Sequence, residues 1–204
     1  MNTLTLTLIA AIFIAAALDE PDTTGVESDG RPPAPQSLKR IARKIEPDLK
    51  GLPDRLQQYV DFFRREVCND SRLVAFDVTA TAEPDSKVAL TGFVEFPETR
   101  TSLEKFLGHL GFQIDNQLET LPAANLGERS LGFLKTSHCL SYDHARGRRG
   151  VVSDCLLAEP LFLLRQDGDQ LLVHSGEGYL GYIPADQVHR VTEANMQYVR
   201  FVAP

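Results

Sequence analysis

The chain has no CxxC pair, so the commonest sequence sign of a structural zinc site is missing. His138, Cys139 and His144 are close in sequence, but their spacing is unspecific and they read as solvated side chains on a strand and a loop. Asp167-Gly168-Asp169 lacks the further oxygen ligands of a calcium loop and reads as a hairpin turn. No metal and no cofactor are expected. Basic residues are also short, with 21 Lys and Arg against 28 Asp and Glu and a net charge of −7. Phosphate contacts need clustered Lys and Arg, so general nucleic-acid binding is excluded. The groups Lys39-Arg40, Arg43-Lys44 and Arg146-Arg148-Arg149 are local exceptions, read as a solvated helix face and a loop. Cysteine is scarce: only Cys68, Cys139 and Cys155 are present. An odd number excludes complete pairing. One bridge between Cys139 and Cys155 stands beside the alternative of three buried thiols.

Long apolar runs are missing except at the start. Leu4 to Leu18 is uncharged and almost wholly apolar, too short for a comfortable membrane span but of signal-peptide length. Ala15 and Ala17 supply the small residues of a cleavage site, although no Lys or Arg precedes the run. Residues 1–18 are therefore expected to be a signal peptide, and the protein to be exported, periplasmic or in the cell envelope, with no membrane span afterwards. Residues 19–36 are acidic and rich in Pro and Gly, with too little apolar surface to offset ordering, and read as a disordered linker.

The remaining pattern predicts an α+β unit. Ser37 is a candidate cap for a short helix to about Glu46. Pro53 opens a second helix in which Leu56, Tyr59, Val60, Phe63 and Val67 recur at helical spacing. Residues 73–82 and 87–96 alternate as two strands; on the second, Val88, Leu90, Gly92, Val94 and Phe96 share one face and Ala89, Thr91, Phe93 and Glu95 the other. Pro97 starts a helix with Leu103, Phe106, Leu107 and Leu110 on its apolar face and Gly111 at its end. Residues 112–121 read as a third strand. The helix-strand-strand-helix-strand order predicts a two-layer domain over 37–125, with helices on one face of a small sheet. From Val151 to Val191, short strands and turns lead to Gly178-Tyr179-Leu180-Gly181-Tyr182-Ile183, the pattern of a small, strongly bent barrel over 126–192, before a tail at 193–204.

Two families enter here. Val88, Leu90, Gly92 and Val94, before a helix, resemble the strand motif of the BON domain, a match covering roughly 53–121. That resemblance implies a small interaction domain linked to envelope or phospholipid association. Residues 131–191 look like the SH3-like domains of NlpC-type cell-wall endopeptidases. Leu156-Leu157-Ala158-Glu159-Pro160-Leu161, Gly168-Asp169-Gln170-Leu171-Leu172-Val173 and Glu177-Gly178-Tyr179-Leu180-Gly181-Tyr182-Ile183-Pro184 carry this second match. Ala158 stands where the family has Gly, and Gln170 and Tyr182 where it has Trp. The resemblance implies an SH3-like barrel following the two-layer domain.

The candidate ligand surface is aromatic and acidic. Tyr142, Tyr179 and Tyr182 offer rings with wet hydroxyls, while Glu177 and Asp186 flank the hairpin and are placed to meet an amine. Asp154-Cys155 superficially resembles the start of an NlpC-type nucleophile motif. Leu156-Leu157 follows in place of Ser-Gly, so no catalytic residue is expected. The expected role is a non-catalytic exported binding protein that recognises cell-wall (peptidoglycan) peptide or an envelope protein. The alternative is the targeting or substrate-shaping part of an NlpC-type endopeptidase whose catalytic domain lies elsewhere. A third reading, with Cys155 as nucleophile, predicts hydrolysis that Cys155→Ser abolishes.

Overall fold

A computed structural model describes residues 35–68, 70–84, 87–147, 150–192 and 194–195. The expected signal segment, nearly all of the linker and most of the tail lie outside these described residues. Helix α1 (Pro35–Ile45) is followed by a 3-10 turn at Pro53–Arg55 that runs into α2 (Leu56–Val67). Leu56, Tyr59, Val60, Phe63 and Val67 are the buried residues of α2, the stripe its 3–4 residue spacing dictates. The hairpin β1 (Phe76–Ala82) and β2 (Lys87–Val94) comes next, in register from Phe76 opposite Val94 to Ala82 opposite Val88. Helix α3 (Pro97–His109) then carries the chain back, so β3 (Gln113–Asn116) and β4 (Glu119–Thr120) both pair with β2 in parallel. At the end of α3, Gly111 takes φ +92° and the Phe112 N–H returns to the Leu107 carbonyl at 3.3 Å. This reversal favours glycine because a left-handed residue costs it nothing.

The core of this half is aromatic. Phe63 and Phe106 lie 5.3 Å apart between centroids, with Phe76, Phe62, Tyr59 and Phe112 around them. Val88, Leu90 and Val94 face that core from β2. Ala89 and Phe93, on the other face of β2, are buried as well. The strand is covered on both sides: helices lie on one, and the rest of the protein packs against the other.

The single third strand expected at 112–121 is broken. Leu118 N–H turns onto Oδ1 of Asn116 at 3.3 Å, while Gln117 N–H remains on the Leu90 carbonyl at 3.0 Å. The Asn side chain thus replaces a ladder bond and separates β3 from β4.

The second half contains β5 (Leu131–Leu134), β6 (His138–Tyr142), β7 (Val151–Leu156), β8 (Pro160–Asp167), β9 (Gln170–His174), β10 (Leu180–Pro184) and β11 (Val188–Val191). They form one antiparallel sheet in the order β11-β5-β8-β9-β10-β6-β7. This corrects the expected barrel. A barrel closes only when its end strands pair, and here β11 pairs with β5 and β7 with β6, leaving both ends open. The link between β10 and β6 is a single register pair, Tyr182 opposite Tyr142. The α+β composition stands; the SH3-like barrel does not. Its core is aliphatic, built from Leu126, Leu134, Leu161, Leu163, Leu171, Val173, Ile183 and Val188 with two cysteines.

A third cluster joins the halves. Ala75, Phe93, Leu121 and Ala123 pack with Leu164 and Leu172, with Leu180 and Tyr182 at its margin. Among the described residues, no helix is long and apolar enough to cross a membrane.

Candidate binding site

The fold places Tyr142 and Tyr182 side by side as register partners of β6 and β10, with Tyr179 just before β10. Tyr182 is half-buried, and its ring packs against the cluster that joins the two sheets. Burial foremost, then the charges of Asp167 and Asp77, push its hydroxyl above the ordinary tyrosine value. Tyr142 is half-buried opposite it on β6. Tyr179 lies before β10, under the Arg72 guanidinium at 5.8 Å, and Arg72 is itself paired with Asp70 at 2.8 Å. Tyr179 and Tyr182 thus each have a protein partner, and all three rings keep part of their surface exposed.

The two acidic candidates are separated. Glu177 is exposed in the turn before β10, and Asp186 is exposed in the 3-10 turn Ala185–Gln187 after it. Five strand residues intervene, about 17 Å of extended chain at roughly 3.4 Å each. No single ligand amine spans both.

Asp186 instead contributes to a different place. With Asp169, Gln170, Pro184, Ala185 and Gln187 it lines an open cleft of about 510 Å³. Gly168, at φ +61°, turns the chain between β8 and β9 and presents Asp169. The Ala185 N–H bonds the Asp169 carbonyl at 2.8 Å, which ties this turn to the one after β10. Two carboxylates, two carboxamides and an apolar Pro-Ala floor make up the lining, without a basic side chain.

Cys139 and Cys155 are register partners across β6 and β7, both buried, and both carry thiols. Burial, reinforced by the charges of Glu159 and its neighbours, pushes the Cys155 thiol up to about 12. Burial likewise raises Cys68 to about 11. Nucleophilic cysteines need the opposite displacement. His138 pairs with Asp154 at 3.2 Å on the exposed surface, and His144 with Asp143 at 2.7 Å. Among the described residues, no three His, Cys, Asp or Glu side chains gather as a metal site.

Sequence reasoning missed the seam between the sheets. Arg165 lies 4.9 Å over the Phe93 ring and reaches Oε2 of Glu119 at 3.2 Å. His174 reaches Glu95 at 3.0 Å, and the Leu180 N–H bonds the Arg72 carbonyl at 2.6 Å. The available signal was Phe93, a large apolar residue on the strand face opposite Val88, Leu90 and Val94.

The expected function is corrected with the fold. Recognition of cell-wall peptide or an envelope protein rested on a closed SH3-like barrel, as did the substrate-shaping role in an NlpC-type endopeptidase, and that barrel is absent. The BON resemblance rested on one strand motif. Compared with known proteins, the chain matches no family model, no curated protein and no solved structure.

Proposed function

We propose that this is a non-catalytic binding protein that takes a primary ammonium group in the cleft between the β8–β9 turn and the turn after β10. The carrying observation is the lining of that cleft, with Asp169 and Asp186 among neutral amides and no competing cation. An ammonium brings three N–H donors, which carboxylates and carboxamide oxygens accept. The Pro184-Ala185 floor suits a small apolar group beside the charge. A net charge of −7 favours the approach of cations. Both carboxylates are exposed, so each ion pair contributes at most about 1 kcal/mol. Two such pairs together contribute about 2 kcal/mol, which puts the Kd of a minimal ligand on the order of tens of millimolar.

The high thiol values of Cys155 and Cys68 support the non-catalytic reading. Export is part of the proposal and is supported by the apolar run Leu4–Leu18 with Ala15 and Ala17. N-terminal sequencing of the protein from its source cell tests export; a mature chain still beginning at Met1 would refute it.

Trialanine and its N-acetylated form test the cleft. In amide NMR spectra, trialanine should shift Gln170, Ala185, Asp186 and Gln187, and Asp186→Asn should weaken the response about fivefold, roughly 1 kcal/mol. Equal responses to the acetylated peptide, shifts located elsewhere, or no response to either would overturn the assignment.

A further inference from the structure

The imidazole of His174 lies between two groups placed to accept hydrogen bonds. Its Nδ1 is 2.9 Å from the Gly178 carbonyl oxygen, and its Nε2 is 3.0 Å from Oε1 of Glu95. A neutral imidazole has one N–H and one bare lone pair, so it satisfies one contact and sets a lone pair against the other oxygen. An imidazolium donates to both. The second oxygen of Glu95 accepts the Ala75 N–H at 2.8 Å, which orients the carboxylate toward the histidine. His174 and Glu95 side chains are only 14% and 11% exposed, so water does little to replace a lost contact.

The location gives this pair its consequence. His174 ends β9 in the seven-stranded sheet, and Glu95 follows β2 in the helix-backed sheet. We infer that doubly protonated His174 is a pH-sensitive latch that clips one sheet to the other, and that losing one of its two N–H protons loosens the seam.

The surroundings contain little else that titrates near neutrality. From the segment before β1 come Arg72 and Asp70, paired with each other, and the Cys68 thiol, which burial pushes up to about 11. Strand β8 presents Phe162 opposite His174, and β10 presents Leu180. The turn following His174 carries Glu177 and Tyr179. Glu95 is the charged partner in contact.

The direction of the pH effect follows from the same contacts. Burial alone would lower the His174 value, but the hydrogen bond and charge of Glu95, with the Gly178 carbonyl, outweigh it and raise the value above 6.5. Stability from such a group is complete below the unfolded value and is lost as pH rises through the folded one. The latch therefore holds at about pH 6 and is released on the alkaline side.

The test uses the full chain. At about pH 6, nitrogen NMR of the imidazoles should show both His174 ring nitrogens protonated. Amide exchange of Leu180 and Ala75, whose N–H groups are held across and beside the seam, should be followed from about pH 6 to 9 and normalised for intrinsic rates. The seam-opening constant should rise about tenfold for each unit by which folding raises the histidine value. His174→Gln and Glu95→Gln should flatten this dependence while amides in the aromatic core stay protected. A neutral ring in the wild type at about pH 6, or parallel wild-type and His174→Gln profiles, would overturn the latch. The ring spectrum is read on the wild type, so the question stays answerable if a variant fails to fold.

Discussion

The helix-backed sheet and the seven-stranded sheet bury their residues in different ways. In the first, one strand, β2, is the centre; α2 and α3 supply aromatic rings to one of its faces and α1 adds Leu38, Ile41 and Ala42. In the second, short antiparallel strands bend around Leu, Val and Ile side chains without a helix over them. Rings tie distant segments through a few large contacts; aliphatic side chains need many strands to enclose the same volume. The first half therefore leaves little room at its core, whereas the second has open ends, exposed Leu156 and Leu157 at 59% and 60%, and the cleft at Asp169 and Asp186. The two also treat their edges differently. Gln57 of α2 caps β1, donating to the Val78 carbonyl and accepting the Ala80 N–H, whereas β7 and β11 end their sheet.

The largest test of this contrast is Phe106→Ala set against Leu163→Ala. Losing the central ring should cost about 4 kcal/mol and losing the aliphatic about 3 kcal/mol, read from denaturant midpoints. A larger loss at Leu163 would reverse the ranking of the two cores. Next comes Phe93→Ala at the seam, expected to cost about 3 kcal/mol. Because the ring joins the halves, unfolding followed by tyrosine fluorescence and by far-UV circular dichroism should no longer coincide. Coincident curves would show that the halves remain one cooperative unit without that contact. The smallest effect should come from Gln57→Ala, about 1 kcal/mol, together with faster exchange of the Ala80 amide. An unchanged Ala80 rate would mean that the β1 edge needs no cap.

Most of the first half was readable before its coordinates. The α2 stripe, the β1–β2 hairpin and the Gly111 reversal are periodic or local features, each set by neighbours a few residues away. The break between β3 and β4 was not readable, because an Asn side chain competes with the ladder only once β2 is in place. In the second half, short strands were visible as such, but their partners were not. Alternation says which face a residue occupies and nothing about which strand lies beside it. For the same reason alternation did not show that the helix-backed sheet packs beside Tyr182. That Asp169 and Asp186 line one cleft was not readable, because two turns distant in the chain meet there.

Composition and short-range pattern were enough to set the charge of the molecule, the helices and most strands. These depend on side-chain type and on interactions a turn or a hairpin apart. The open sheet, the seam and the pairing of His174 with Glu95 depended on tertiary packing. His174 and Glu95 are 79 positions apart in the chain, and only burial against a shared apolar cluster brings them within hydrogen-bonding distance.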